Sequence, residues 1–145
     1  MALDEARAAA RRGEVPVGAV LVVGDRLIAR DGNRTREGLD PTAHAEMLVI
    51  RKAASLLHAE RLTEADLFVT LEPCAMCAAA ISFARIRRLY IGAMDEKGGA
   101  VFNGARFFSL PTCHHSPDVY AGFRESEASE LLKSFFRERR PDQRG

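Results

Sequence analysis

The stretch ADLFVTLEPCAMCAAAISFARIRRLYIGA (65–93) decides the fold. Its first part, ADLFVTL (65–71), is an apolar run with β-branched and aromatic residues and reads as a buried strand. Pro73 sits where a helix begins, because the first helical turn has no use for the N–H that proline lacks. CAMCAAAISFA (74–84) continues as that helix, and RLYIGA (88–93) is a second strand. Strand–helix–strand crossovers favour a sheet with helices packed on its faces, so an α/β architecture follows.

Working outward, LDEARAAARR (3–12) is built of helix formers and ends at Gly13, a suitable helix terminator. VGAVLVV (17–23) and RLIARDG (26–32), on either side of Gly24-Asp25, form a hairpin. Residues 33–42 are polar, with Gly38 and Pro41, and predict a loop. Thr42 is placed to cap a helix over about 43–57, whose Met47, Leu48, Ile50, Ala54 and Leu57 supply an apolar side. Beyond the opening stretch, 94–117 is loop-like and VYAGF (119–123) is a short strand. A last helix over about 126–139 carries Leu131, Leu132, Phe135 and Phe136. The order predicts one domain over residues 1–145, a three-layer α/β/α sandwich around a central mixed five-stranded sheet.

Composition narrows the function. With 47% hydrophobic and 28% charged residues in 145, the chain can bury a core and is not of disordered composition. Twenty-one Lys and Arg against 20 Asp and Glu leave +1, which argues against coating nucleic acid by bulk charge but allows local basic clusters. The apolar run from Val17 to Val23 is too short to span a bilayer, and Asp4, Glu5, Arg7, Arg11 and Arg12 interrupt any secretory h-region. A cytoplasmic location without membrane attachment is expected. Three cysteines there point to metal binding or catalysis rather than to disulfides.

The chemistry concentrates in TAHAE (42–46) and EPCAMC (72–77). Cys74 and Cys77, three apart at a helix start, project to one face, and the helix N-terminus favours their thiolates. His44 lies at another helix start. If both starts face one pocket, one nitrogen and two sulfurs make a three-ligand zinc set with a fourth position left for water, as in catalytic sites. Glu46 is the natural proton carrier beside it. Water activated by zinc beside a shuttling carboxylate suits hydrolytic removal of an amino group from an aromatic heterocycle. Neither CxxC nor HxE alone is specific; the combination, with proline before the first cysteine, is.

H-x-E followed by P-C-x-x-C is the established zinc-deaminase signature. The chain further resembles the bacterial tRNA adenosine deaminases, through EVPVGAV (14–20), GNR (32–34), DPTAHAEM (40–47), LFVTLEPCAMC (67–77), GAMDEKGGA (92–100) and SFFRERR (134–140), in that order. The resemblance implies a cytidine deaminase-like fold, a homodimer with one zinc per subunit, and conversion of adenosine to inosine at the wobble position of a tRNA anticodon stem-loop. It implies His44, Cys74 and Cys77 as zinc ligands and Glu46 as the catalytic proton shuttle. Asn33 would hydrogen-bond the flipped base, and Asp95 and Lys97 would contact the anticodon loop. Phe136, Arg139 and Arg140 match the C-terminal helix that meets the RNA. Cys113-His114-His115 departs from the family, so that His114 stands where many members have Asn.

Plainer readings exist for several of these residues. Asn33 alone is a turn residue, Asp95 and Lys97 a solvated loop pair, and Phe135 and Phe136 members of an apolar stripe. Arg85, Arg87 and Arg88 suit a solvated edge, and His58 an exposed helix end. KGGAVFNG (97–104) lacks the Gly-Lys-Ser/Thr of a phosphate loop, so no nucleotide triphosphate is expected. Two other functions remain open at this level. One is deamination of a free base, nucleoside or nucleotide on the same fold. The other is a zinc-stabilised RNA-binding module in which Cys113 or a neighbouring histidine completes a closed four-ligand site.

Overall fold

The computed structural model describes residues 1–144, with side chains through residue 139. The elements run α1 (Ala2–Arg11), β1 (Gly18–Val23), β2 (Arg26–Gly32), α2 (Ala45–Leu57), β3 (Ala65–Leu71), α3 (Ala75–Phe83), β4 (Arg88–Ala93), a single 3₁₀ turn (Phe107–Ser109), β5 (Asp118–Ala121) and α4 (Glu125–Arg144). The strands form one mixed sheet in the order β2-β1-β3-β4-β5. β1 pairs antiparallel with β2 and β3, whereas β3, β4 and β5 are parallel. The α/β/α sandwich with a five-stranded mixed sheet is therefore as the sequence predicts.

Alternation along the strands divides the layers. Leu67, Val69, Leu89 and Ile91 point into a core shared with Val49 and Ala53 of α2 and Ile81 of α3, all fully buried. On the opposite face Phe68, Tyr90 and Tyr120 stack across β3, β4 and β5, with ring centroids 4.4 and 5.1 Å apart. On the sheet's other side, α1 lies over β1 and β2. It comes so close that a Cβ on Gly18 would meet the Ala6 nitrogen at 2.5 Å. No described helix is long and apolar enough to cross a membrane.

Two boundaries differ from the sequence reading in ways that matter. Thr42 does not cap α2: its N–H and hydroxyl both donate to Asp40 Oδ1, at 2.8 and 2.7 Å, closing a turn around Pro41. The helix starts two positions later than expected, at Ala45, with His44 as the N-cap in extended backbone conformation. At the other end of the chain, α4 continues past residue 139, to Arg144. Gly13, at φ +85°, terminates α1 as expected.

Candidate active site

The parallel arrangement of the β3–α3 unit, and the packing of α2 beside α3, bring two helix starts to one end of the sheet. The N-cap residues of these helices are His44 and Cys74. An N-cap side chain ordinarily turns back to bond its own helix. Neither of these does. Asn33 relieves His44 of that task, since its Oδ1 accepts from the Ala45 N–H at 2.8 Å. The His44 ring and the Cys74 thiol are thus free to point at each other.

The His44 Nδ1 stands 3.5 Å from Sγ of both Cys74 and Cys77. The ligand atoms of these three residues lie within 4.8 Å of one another, and among the described residues they are the one His/Cys/acid group so assembled. One imidazole and two thiols at a helix start form a soft donor set that suits zinc. The third cysteine is committed elsewhere. Cys113 Sγ donates to the His115 carbonyl at 3.1 Å and lies 3.5 Å from Ser82 Oγ, while His115 Nε2 meets the Ile86 carbonyl oxygen at 2.7 Å. His114 is exposed on the same segment. The geometry gives no support to a fourth protein ligand from this loop.

Charge in the triplet is asymmetric. The hydrogen bond from Cys77, helped by His44, holds the Cys74 thiol down to about 4, whereas that same bond and burial push Cys77 up. His44 is raised chiefly by its bond to Cys74. Glu46, in the first turn of α2, is only 4% exposed. Burial pushes its carboxyl up to about 7, against the pull of its own backbone N–H and of His44. A carboxyl poised near neutrality can both accept and return a proton.

A groove of about 800 Å³ opens between the loop after β4 and the later part of α4, with Leu71 at the end of β3 in its wall. None of the three candidate ligands lines it. Asp95, Lys97 and Phe136 do, together with Lys133 and Arg137. Phe136 is 47% exposed there, while its neighbour Phe135 is buried. Arg139 is turned the other way, its guanidinium 3.8 Å above the Phe135 ring. The Arg140 side chain lies outside the described residues. Arg87 pairs with Asp66 at 3.0 Å where β3 and β4 begin, and His58, left-handed at φ +50°, ends α2, both in line with their plainer readings.

Two buried carboxylates shape the site's rim, and the sequence reading assigns no role to either. Glu14 accepts from the Arg36 and Glu37 N–H groups at 3.2 and 2.8 Å and fixes the loop that follows Asn33. Glu72, immediately before Pro73, gathers five N–H donors from the loop after β4. For both, burial pushes the carboxyl up but the backbone N–H bonds win, holding it below the usual carboxylate range. A charged residue at the end of an apolar strand, directly before Pro73, is the one local signal that could have marked Glu72.

The family model for the cytidine and deoxycytidylate deaminase zinc-binding region matches residues 1–93. A tRNA-specific adenosine deaminase of Agrobacterium fabrum is 68% identical over 142 residues, covering 98% of this chain and 93% of that protein. A solved structure from work on A-to-I editing by tRNA:A34 deaminases at the wobble position of transfer RNA aligns with a TM-score of 0.89 and 69% identity. That alignment covers 90% of this chain and 95% of the other. A guanine deaminase from Nitrosomonas europaea, at 23% identity, a TM-score of 0.75 and coverage of 92% and 80%, shares the fold alone. The chain belongs to the tRNA-specific adenosine deaminases, within the cytidine and deoxycytidylate deaminase zinc-binding family.

Proposed function

We propose that this protein is a zinc-dependent hydrolase that converts adenosine to inosine at the wobble position of a tRNA anticodon, consuming water and releasing ammonia. The observation that carries the chemistry is the convergence of His44, Cys74 and Cys77 beside the buried carboxyl of Glu46. The substrate class follows from membership of the family, and the groove that presents Lys97, Lys133 and Arg137 beside Phe136 supports it. His44, Cys74 and Cys77 hold the metal, one ion per chain. Zinc in such a site supplies Lewis-acid activation of water.

Glu46 takes one proton from the water and delivers it to the purine ring nitrogen. It then takes the second, from the hydroxyl now on the ring carbon, and delivers it to the amine as the C–N bond breaks and the carbonyl forms. Its burial lifts the proton affinity into the range where both transfers are feasible at neutral pH. Asn33 keeps its side-chain oxygen on the Ala45 N–H, which leaves the amide N–H₂ to donate to the flipped base. Asp95, Lys97 and Phe136 contact the anticodon loop along the groove, and Arg139, Arg140 and His114 are further RNA contacts. The enzyme acts in the cytoplasm as a homodimer; the exposed Leu56 and Phe83, on the α2–α3 layer, offer apolar surface for a second copy.

The test is direct. An anticodon stem-loop bearing adenosine at the wobble position is incubated with the zinc-loaded protein and assayed for inosine. Inosine formed by the natural chain and not by Glu46→Ala, at equal zinc content, is the expected result. No inosine from zinc-loaded, folded protein overturns the reading and directs the search to free purines and pyrimidines.

A further inference from the structure

Glu72 is 2% exposed, and its described partners are all amide N–H groups, none of them cationic. Its carboxylate is instead enclosed by a single loop. Oε1 accepts from the Asp95 N–H at 3.0 Å and from Asn103 Nδ2 at 2.7 Å. Oε2 accepts from the consecutive N–H groups of Val101, Phe102 and Asn103, at 3.1, 2.9 and 3.0 Å. Consecutive N–H groups converging on one point form a concavity that in many proteins holds an external anion. Here the anion is a side chain from the end of β3.

The loop's other ties are mostly to itself and its near neighbours: the Gly99 N–H donates to the Asp95 carbonyl at 2.9 Å and the Phe107 N–H to the Ala100 carbonyl at 2.7 Å, while Val101 packs against the core. Asp95 spends its own carboxylate on the Lys97 and Gly98 N–H groups, at 3.1 and 2.9 Å. Gly99 lies against Glu72 so closely that any Cβ there would run into the carboxyl carbon. One further bond, Ala100 N–H to the Pro73 carbonyl at 2.8 Å, ties the same loop to the residue before Cys74. Glu72 thus sits between the turn that carries the metal ligand Cys74 and the segment that presents Asp95 and Lys97 to the groove.

We propose that Glu72 is a positioning residue for RNA: it locks the 95–103 loop into the arrangement that offers Asp95 and Lys97 to the anticodon loop. The proposal rests on the tRNA reading above. Glu72 touches neither substrate nor the reacting atoms, so its effect falls on substrate affinity and not on the chemical step. Cys74 keeps its place without it, because its carbonyl starts α3 through the Ala78 N–H at 2.8 Å.

The experiment measures kcat and KM for the wobble-adenosine stem-loop, with zinc per chain, for the natural protein, Glu72→Gln, Asn103→Ala, Lys97→Ala and the Glu72→Gln/Lys97→Ala double variant. Glutamine keeps the shape but must aim an N–H₂ group at either the Asp95 side or the 101–103 side, leaving donors there unpaired. KM should rise about tenfold, as for loss of one or two bonds to a charged acceptor. The kcat should stay within about twofold, with zinc unchanged. Asn103→Ala removes one donor of five and should raise KM about threefold, and it serves if Glu72→Gln fails to fold. Adding Lys97→Ala to Glu72→Gln should cost less than Lys97→Ala alone, because the loop is already displaced.

KM unchanged in the folded variants, or a fall in kcat and zinc at constant KM, overturns the proposal and reduces Glu72 to a support for the metal turn. Full additivity of the double variant overturns it too. If the natural protein makes no inosine on the stem-loop, the tRNA reading falls and this proposal falls with it. If the natural protein makes inosine and KM does not move, this proposal alone falls.

Discussion

The metal centre and its rim are built by opposite means. At the centre, side chains three residues apart on α3, and two apart at the start of α2, do the work, and their identity is the information. At the rim, Asp95 and Lys97 come from a loop held by backbone hydrogen bonding to a buried carboxylate, and Phe136 comes from a helix far along the chain. A centre of the first kind fails all at once when one atom is changed. A rim of the second kind should fail by degrees.

The sharpest test of that difference is a ligand substitution. Cys74→Ser replaces a thiolate by a hydroxyl that stays protonated, so zinc affinity should drop by more than the roughly 10–100-fold that losing an outer-shell partner costs. Zinc per chain, measured after dialysis, and inosine formation should both fall to background. Retention of stoichiometric zinc would remove Cys74 from the ligand set. Glu46→Ala comes next. It leaves the donor triplet whole, so zinc stays, while turnover should fall by about 10²–10⁴-fold, the span of a positioned acid–base group. A residual rate within tenfold of the natural protein's would mean that another group carries the protons.

The same contrast explains what the sequence could reveal. His44, Glu46, Cys74 and Cys77 were legible because each pair is local and a helix start fixes its geometry. The crossover 65–93 was legible because apolar strands and an alanine-rich helix differ in pattern over short windows. Glu72 was opaque for a physical reason: its donors lie 23 to 31 residues downstream, and four of the five are backbone N–H groups, which every residue but proline owns. Thr42 misled because threonine before a helical run is a good cap in general, yet Asp40 two residues earlier competes for it. Asp95, Lys97, Phe136 and Arg139 entered through family resemblance, and no local pattern could have chosen Phe136 over Phe135.

Those two phenylalanines give a smaller test, on the rim itself. Phe135 is 7% exposed and its ring carries the Arg139 guanidinium, so Phe135→Ala should cost about 3 kcal/mol of stability, read as a lowered denaturation midpoint. Phe136 is half in solvent at the groove, so Phe136→Ala should leave that midpoint nearly unchanged. If Phe136 stacks on a base of the anticodon loop, KM for the stem-loop should instead rise about tenfold, within the usual range for base–aromatic stacking. Equal effects of the two substitutions on stability would mean that Phe136 belongs to the core, and the groove would lose its aromatic floor.

The smallest effect expected lies in acid, at a carboxylate behind the centre. Asp31, at the end of β2, is 3% exposed and bonds Lys52 Nζ at 2.7 Å and Arg34 Nε at 2.8 Å. Burial alone would raise its pKa, but Lys52, Arg34 and the Gly32 N–H outweigh it and hold the carboxyl below its ordinary value of 3.8. A depressed folded-state pKa means that the unfolded chain binds the proton first. The stabilisation is therefore complete above the ordinary value and drains away as pH falls through the folded one. Zinc ligands also take up protons in acid, so the informative quantity is the difference between the natural protein and Asp31→Asn, in which that loss is common to both. Lys52 and Arg34 are partly exposed, so the substitution strands no buried charge. The gap in stability should be constant above about pH 5 and should close toward pH 3. Parallel curves over that span would show that Asp31 titrates alike in the folded and unfolded chains, and that its two cations serve geometry rather than charge.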